Sequence, residues 1–204
     1  MKISVALAAY NGEKYIGEQI ESILPQLGGD DEIVVSDDNP AGKTRAAVEF
    51  YSAYDGRVRY VEGTGEGVCR NFENAILNCS GDVIFLCDQD DVWLPNKVER
   101  VMKAIENGAD VVLHDAMMTD GELNVTDESF FSLNGSKRGF VRNFLKNSYM
   151  GCCMAFRRDF EPAFMPFPKD LAMHDWWIGL NAELKGKVEF IYEPLIKHRC
   201  HGGN

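Results

Sequence analysis

The amino-acid sequence predicts an α/β fold with a mostly parallel, twisted sheet and helices on both faces. Three observations support this prediction. Apolar runs of strand length alternate with segments of helical periodicity, and the connections between them are short. The 204 residues, with 45% hydrophobic and 26% charged side chains, suffice for one buried core. Polar or acidic residues directly follow three of the apolar runs, at the strand ends where such sheets bind ligands.

The first half of the chain alternates strands and helices. Its predicted strands cover residues 2–9, 31–37, 57–61 and 82–87. The helices between and after them cover residues 13–27, with Pro25 weakening the last turn, residues 43–54, a segment that starts near Val68 after the glycine-rich turn 63–67, and a segment with Pro95 in its first turn. This order predicts parallel pairing of the strands.

The second half is less regular. Strands are predicted over residues 109–115, 152–157 and 188–192, a hairpin or loop over 120–131, a helix over 174–185 and a polar tail over 198–204. No repeat or linker interrupts the sequence, so we expect a single domain over residues 1–204.

Charge and cysteine usage exclude some classes of function. The chain has 21 Lys and Arg against 32 Asp and Glu, a net charge of −11, whereas a nucleic-acid coat protein needs clustered basic residues. The first apolar run stops at Tyr10, far short of a signal or membrane-spanning segment, so we expect a cytoplasmic protein. The six cysteines, including adjacent Cys152 and Cys153, lack paired metal-ligand spacing, which favours reduced, apolar roles.

Three carboxylates in four residues follow the apolar segment 83–87. This acidic run consists of Asp88, Gln89, Asp90 and Asp91. Its like charges repel each other unless a cation lies between them, and Mg²⁺ or Mn²⁺ binds one or two carboxylates together with substrate phosphates. The structural alternative is a solvated turn in which Asp91 caps the next helix.

Residues 81–97, with this acidic run at their centre, resemble the central motif of the family 2, GT-A-type glycosyltransferases. Further segments match that family in the same order: residues 3–16, 32–38, 70–72 and 174–177. The resemblance is strongest to bacterial enzymes of surface-polysaccharide assembly, including rhamnosyltransferases. It implies the GT-A fold, with a nucleotide-binding half over residues 1–115 and an acceptor-binding half over residues 116–204.

The resemblance also implies a role for each matching residue. Six residues match the nucleotide site: Tyr10, Asn11, Glu13, Asp38, Arg70 and Asp88. Asp90 matches the ligand of a Mg²⁺ or Mn²⁺ ion that bridges the diphosphate, and His201 matches a tail histidine that approaches this ion. Asp175 matches the catalytic base of the inverting enzymes.

The implied activity is sugar transfer from a UDP- or dTDP-sugar to a saccharide or lipid-linked acceptor, in bacterial polysaccharide or glycolipid synthesis. One alternative is a nucleotidyltransferase, which would carry a glycine-rich basic phosphate loop after the first strand, unlike Tyr10-Asn11-Gly12-Glu13. The other is a catalytically silent nucleotide-sugar-binding protein of the same fold. For single residues, Arg70 could pair only with a surface carboxylate, Asp38 could cap a helix, and His198 could be structural.

Three features depart from the family pattern. Ala8 replaces a common proline, residues 39–42 replace the usual Gly-Ser-Thr-Asp, and the sequence stops soon after His201. A mixed basic and apolar segment, residues 136–146, predicts either contact with a lipid-linked acceptor at a membrane surface or a partly buried surface helix.

Overall fold

A mixed, mostly parallel sheet forms the centre of the protein. The computed structural model describes residues 1–201. Within them the sheet contains nine strands: β1 (Ile3–Ala9), β2 (Glu32–Asp37), β3 (Val58–Glu62), β4 (Val83–Asp88), β5 (Val92–Trp93), β6 (Val111–Thr119), β7 (Val125–Asp127), β8 (Met154–Arg157) and β9 (Val188–Arg199). The order is β3-β2-β1-β4-β8-β6-β9-β5, with β7 paired to β6.

The parallel part of the sheet follows from its composition. β1 to β4 run parallel, and β8 is inserted antiparallel between β4 and β6. Every residue of β1 and β2 is buried, as expected for parallel strands that are covered on both faces. Because β1, β2 and β4 point in one direction, their carboxyl ends meet at one edge of the sheet.

Helices cover both faces of the sheet, as predicted. They are α1 (Ile16–Ile23), α2 (Thr44–Tyr54), α3 (Val68–Asn78), α4 (Lys97–Glu106), α5 (Phe130–Asn134), α6 (Phe140–Leu145) and α7 (His174–Lys185). On α1, Gln19 donates to the Cys87 thiol at 2.8 Å, and on α3, Asn74 donates to the Ser36 hydroxyl at 2.8 Å. Ser36 and Asp88 are both in register with Ala8 of β1, so their side chains point to the same face of the sheet. Cys87 is adjacent to Asp88 and therefore points to the opposite face. Helices α1 and α3 thus lie on opposite sides of the sheet.

The largest departure from prediction lies in β9. The predicted strand 188–192 continues to Arg199, where it pairs with β6, so the prediction of a polar tail is wrong for residues 198–199. The extension escaped prediction because polar and charged side chains interrupt its apolar pattern. Glu193, for example, accepts from Arg100 at 2.7 Å. Of the remaining tail residues, Cys200 and His201 belong to no helix or strand, and residues 202–204 lie outside the described residues.

Smaller differences concern helix ends and the second half. The helix predicted over residues 13–27 is limited to α1, and a 3₁₀ turn, Leu24–Gln26, follows where Pro25 removes a helical donor. Pro95 was predicted in the first turn of a helix, but α4 begins at Lys97 with Asn96 as its N-cap, so Pro95 precedes the helix. Residues 120–131 contain a hairpin strand, β7, and a 3₁₀ turn, Gly151–Cys153, precedes β8.

Candidate active site

The carboxyl ends of β1, β2 and β4 open into a cavity of about 700 Å³. Its wall includes Tyr10, Asp38, Asp88, Asp90 and His198. The cavity therefore lies where a parallel sheet places its ligand site, and four of the residues predicted from the sequence contribute to it.

Gln89 ties the acidic run to the end of β1. Its side-chain oxygen accepts from the Tyr10 N–H at 2.9 Å, and its amide nitrogen donates to the Tyr10 carbonyl at 3.0 Å. Gly12 permits this approach, since a Cβ there would lie 2.0 Å from the Gln89 Oε1 atom. The Tyr10 side chain remains 60% exposed at the cavity. Sequence reasoning missed Gln89, whose only signal was an uncharged amide inside an acidic motif.

Asp38 organises the glycine-rich turn beside the cavity. Its two carboxylate oxygens accept from the N–H groups of Gly65 and Gly67, each at 2.8 Å. Both glycines have positive φ angles, 71° and 91°, which other residues rarely adopt. Asp38 therefore positions this turn against the cavity, and it does not contribute to the cap of α2, for which no side-chain hydrogen bond exists.

Asn11 and Glu13 follow the end of β1 but do not line the cavity. Asn11 has a positive φ of 51°, and its side-chain oxygen accepts from Asn39 at 2.8 Å. The loop that departs from the family pattern is thus joined to the β1 end. The predicted nucleotide contacts of Asn11 and Glu13 stay predictions.

Arg70 joins α3 to the segment before α7. Its guanidinium forms an ion pair with Glu73 and donates to the carbonyls of Phe167, at 3.3 Å, and Pro168, at 2.7 Å. Arg70 therefore has the carboxylate partner that the alternative interpretation, a purely structural ion pair, predicted. A role for Arg70 over the nucleotide stays a prediction, since it is not part of the cavity wall.

The charges of the acidic run act on each other. Burial, reinforced by the charges of Asp91 and Asp90, raises the pKa of Asp88 to about 7. Burial and Asp91 also raise the pKa of Asp90, against a hydrogen bond with His201. The Asp90 Oδ2 and His201 Nε2 atoms lie 2.9 Å apart, so the structure brings together the two residues predicted as metal ligands.

Asp91 is not a helix cap but part of a buried ion pair. It is 1% exposed, and its Oδ1 atom accepts from His198 Nδ1 at 2.8 Å and from the Arg199 N–H at 3.1 Å. Burial lowers the pKa of His198, but the hydrogen bond to Asp91 and the charges of Asp91 and Asp88 together raise it to about 10. Sequence reasoning missed this pair because its members lie 107 residues apart.

Arg199 is a second residue that sequence reasoning missed. The buried guanidinium donates to the carbonyls of Asp90, at 2.8 Å, and Gly121, at 2.7 Å, and pairs with Glu18. It thereby holds the end of β9 against the acidic run. Its neighbour His201 stacks on Tyr15, with ring centroids 4.8 Å apart.

The residues at this edge fit a divalent cation. Asp90 and His201 offer a carboxylate oxygen and an imidazole nitrogen that lie 2.9 Å apart. Mg²⁺ and Mn²⁺ accept such ligands and leave further positions for water and phosphate oxygens. The raised pKa of Asp90 agrees with this fit, because its causes, burial first and then the charge of Asp91, are ones that a bound cation would offset.

Asp175 lies apart from the acidic run, in the first turn of α7. Its carboxylate is 7% exposed and accepts from the Trp176 N–H and, at 3.4 Å, from Asn147. Burial, opposed by these hydrogen bonds, raises its pKa to about 6. Asp175 does not line the cavity. Its charge does act on the thiol of Cys69, which is adjacent in sequence to the cavity residue Val68. The pKa of Cys69 is raised by burial and, to a smaller extent, by the charge of Asp175.

The residues that flank Asp175 on α7 pack against aromatic, apolar and backbone groups. His174 stacks on Phe72 with ring centroids 4.0 Å apart, and burial lowers the pKa of His174 to about 3, so its ring is neutral. Trp177 packs against the hydrophobic core. Trp176 donates through its indole nitrogen to the carbonyl of Asn143 on α6.

Comparison with known proteins gives a consistent result. The family described as Glycosyl transferase family 2 matches residues 4–162. An uncharacterized glycosyltransferase from Nostoc is 27% identical over 217 residues, covering 100% of this chain and 66% of its own length. The dTDP-rhamnosyl transferase RfbG of Shigella flexneri is 26% identical, covering 97% of this chain and 72% of its own length.

Solved structures agree with the fold. TarS of S. aureus in complex with UDP-GlcNAc has a TM-score of 0.76 at 19% identity and covers 100% of this chain. The mannosyltransferase PcManGT of Pyrobaculum calidifontis, in complex with GDP-Man and Mn²⁺, has a TM-score of 0.67 at 18% identity and covers 94%. The chain spans 60% of that TarS chain and 54% of the PcManGT chain.

No helix within residues 1–201 combines the length and apolar character that crossing a bilayer requires. The match over residues 4–162 includes the acidic run and the strands that carry the cavity. The fold is the GT-A fold, and the chain belongs to glycosyl transferase family 2.

Proposed function

We propose that this chain carries the catalytic site of an inverting glycosyltransferase, which moves a hexosyl or deoxyhexosyl group from a nucleotide-diphosphate sugar to an acceptor hydroxyl. The observation that carries the proposal is the convergence of Tyr10, Asp38, Asp88 and Asp90 on one cavity at the ends of three parallel strands. Residues 1–115 would supply most of the nucleotide side and residues 116–204 the acceptor side. Bacterial polysaccharide or glycolipid synthesis is the proposed setting.

The donor is proposed to be a UDP- or dTDP-sugar. The exposed ring of Tyr10 is available to a base, and Asp38 and Asp88 line the wall where the ribose would lie. A dTDP-sugar agrees with the name of the Shigella relative and a UDP-sugar with the ligand of the TarS structure. Asn11, Glu13 and Arg70 would contribute through the loops that they hold or flank.

Asp90 and His201 are proposed to hold a Mg²⁺ or Mn²⁺ ion. When bound, such an ion neutralises the charge that develops on the departing diphosphate. The Mn²⁺ in the PcManGT structure supports the choice of a divalent ion. Arg199 would keep the Asp90 backbone in place through its hydrogen bond to the Asp90 carbonyl.

Asp175 is proposed as the general base that takes the proton of the acceptor hydroxyl. A carboxylate whose pKa is raised to about 6 is still ionised at neutral pH, and it is a stronger base than an exposed aspartate. The Trp176 N–H and Asn147 hold its orientation. Attack from the side opposite the diphosphate would invert the anomeric centre.

Nucleotide binding tests the cation part of the proposal. Isothermal titration with UDP and dTDP, with and without Mn²⁺, should show binding that depends on the ion. We expect Asp90→Ala to weaken the Mn²⁺-dependent affinity at least about tenfold, since outer-shell changes alone cost about 10–100-fold in metal affinity. Asp30→Ala, the same change at an exposed aspartate, is the matched control. Equal binding by Asp90→Ala, or equal binding in EDTA, would contradict the role of Asp90.

The acceptor side is proposed to contact an anionic bilayer at the cytoplasmic face of the membrane. Residues 133–146 contain four basic and no acidic side chains, although the whole chain has a net charge of −11. The exposed apolar side chains there are Leu133, Val141, Phe144 and Leu145. The segment adjoins the Asp175 site because Asn143 accepts from Trp176. Each basic residue near an anionic surface contributes about 1 kcal/mol.

Vesicle cosedimentation tests this contact. We expect the wild type to bind vesicles that contain phosphatidylglycerol but not vesicles of phosphatidylcholine alone, and Phe144→Ser to reduce the binding. Tyr54→Ser, which removes an exposed aromatic ring on α2, is the control. Equal sedimentation with both lipid compositions, or no loss in Phe144→Ser, would refute the proposed surface.

A further inference from the structure

Four side chains that offer three kinds of ligand atom meet beside the Asp90–His201 pair, and two of them, Asp88 and His198, line the cavity. This inner cluster consists of Asp88, Asp91, Cys152 and His198, and one potential ligand atom from each lies within 4.8 Å of the others. Asp88 ends β4, Cys152 lies in the 3₁₀ turn before β8, and His198 lies near the end of β9. The fold therefore assembles the cluster from separate parts of the chain.

The donors are a thiol sulfur, an imidazole nitrogen and two carboxylates. We infer that the inner cluster is a second cation site, which binds Zn²⁺ through Asp88, Asp91, Cys152 and His198 and releases to solvent the protons of the Cys152 thiol and of the His198 Nδ1 atom. Zn²⁺ takes four such ligands in a tetrahedral arrangement, and a thiolate favours it over the hard ions Mg²⁺ and Mn²⁺. The site shares Asp88 with the proposed nucleotide site but goes beyond the proposed function, which needs none of Asp91, Cys152 and His198.

The distances are close to those that zinc requires. Tetrahedral bonds of about 2.0–2.3 Å place the donor atoms roughly 3.3–3.8 Å apart. The Cys152 Sγ and His198 Nδ1 atoms are already 3.8 Å apart. Side-chain rotations of about 1 Å would bring the remaining atoms to the required separation, because none exceeds 4.8 Å.

A second observation points to a missing ligand in the same place. Asp91 is 1% exposed, and its Oδ2 atom has no hydrogen-bond partner among the residues that the structure describes. Buried carboxylate oxygens in proteins are normally satisfied. His198 and the Arg199 N–H use the other oxygen, Oδ1, so they do not account for Oδ2. A cation bound by Asp91 would satisfy it.

Cys152 is held in position by a buried lysine. The ammonium of Lys97 donates to the Cys152 carbonyl at 2.8 Å and lies 4.0 Å from the centre of the Trp93 ring. The ammonium carries one positive charge, whereas the inner cluster contains two carboxylates, so Lys97 cannot neutralise both. The turn that carries the thiol is therefore fixed before any ion binds, and a fixed ligand loses little conformational freedom on binding.

X-ray absorption of the zinc-loaded protein tests the inference directly. The Cys200→Ser variant serves as the parent, because Cys200 is exposed and adjoins His201. At one equivalent of Zn²⁺ we expect a single sulfur neighbour at about 2.3 Å together with nitrogen and oxygen neighbours. A shell of nitrogen and oxygen alone would overturn the inference, and this measurement needs no change within the cluster.

Two adjacent cysteines then supply a matched pair of variants. In the same parent, Cys152→Ser should remove the thiolate-to-cobalt charge-transfer band of the Co²⁺-loaded protein and weaken Zn²⁺ binding at least about tenfold. Cys153→Ser, which alters a buried neighbour outside the cluster, should retain both. Retention of the band in Cys152→Ser, with circular dichroism showing a folded chain, would overturn the inference.

A third variant separates this site from the proposed function. Asp90→Ala should lose Mn²⁺-dependent nucleotide binding yet keep the cobalt charge-transfer band, because Asp90 does not belong to the inner cluster. Loss of the band in Asp90→Ala would mean that one ion site, rather than two, exists at this edge. Failure of nucleotide binding in the parent with the band intact would reject the proposed function and leave the zinc site standing.

Discussion

Two carboxylates of this protein, Asp88 and Asp175, have pKa values that burial raises, but only at Asp88 do like charges add to the effect of burial. Burial and two like charges, Asp91 and Asp90, raise the pKa of Asp88 to about 7. Burial alone raises the pKa of Asp175 to about 6, against hydrogen bonds that lower it. Repulsion among neighbours is relieved by a cation, whereas the cost of burying a single charge is relieved by a proton. The comparison teaches that the environment, rather than the residue type, would divide the proposed cation binding from the proposed proton transfer.

The largest expected effect tests the proton-transfer side of the comparison. Asp175→Asn should keep nucleotide affinity and lower the transfer rate by about 100-fold to 10,000-fold, the usual contribution of a general base. Transfer is measured from nucleotide release in the presence of acceptor, and affinity by titration. Glu183→Gln, on the same helix, provides a comparison variant. An Asp175→Asn variant with normal turnover would place the base elsewhere.

The next effect tests whether the positive charge of His198, paired with Asp91 of the acidic run, stabilises the fold. In protein freed of metal with EDTA, Asp91→Asn leaves the His198 imidazolium without its partner, and breaking a buried pair costs about 3 kcal/mol or more of unfolding free energy. Because the pKa of His198 is raised from 6.5 to about 10, this stabilisation is complete below about pH 6.5 and is lost as the pH rises through about 10. Urea denaturation of Asp91→Asn and of the exposed control Asp30→Asn measures the loss. A midpoint equal to that of the control would contradict the pairing.

The smallest effect has the opposite sign and concerns Asp175. Folding raises its pKa from the ordinary value of 3.8 to about 6, so ionisation destabilises the folded chain as the pH increases through about 6. Asp175→Asn should therefore increase the unfolding free energy by up to about 3 kcal/mol near pH 8 and by little below about pH 4. Urea denaturation at both pH values checks this. Destabilisation near pH 8 would show that the ionised carboxylate supports the fold.

Much of the fold could be predicted from the sequence. Continuous apolar runs predicted β1, β2 and β4, and polar residues at their ends predicted where the cavity lies. The far end of β9 could not be predicted, because the strand pairs there through its backbone while its side chains are polar. A pattern of apolar side chains carries no information about such pairing.

The candidate site divides in the same way. Asp90 and His201 were predicted from the resemblance, and the structure brings them to 2.9 Å. Gln89 and Arg199 were not predicted, because each acts through hydrogen bonds to backbone groups of distant residues. The alternative that made Asp91 a helix cap was wrong, since burial beside His198 decides its role.

The sequence alone determined three features of this protein: an α/β sheet, an acidic run after a buried strand, and the family to which the chain belongs. These features are local, because a strand and the residues that follow it are adjacent in the chain. Only the tertiary structure decided which charges meet. The return of β9 brings His198 and Arg199 to the acidic run, and the fold around α7 buries Asp175. Electrostatic energies depend on distance in space and on burial, and neither can be read from order along the chain.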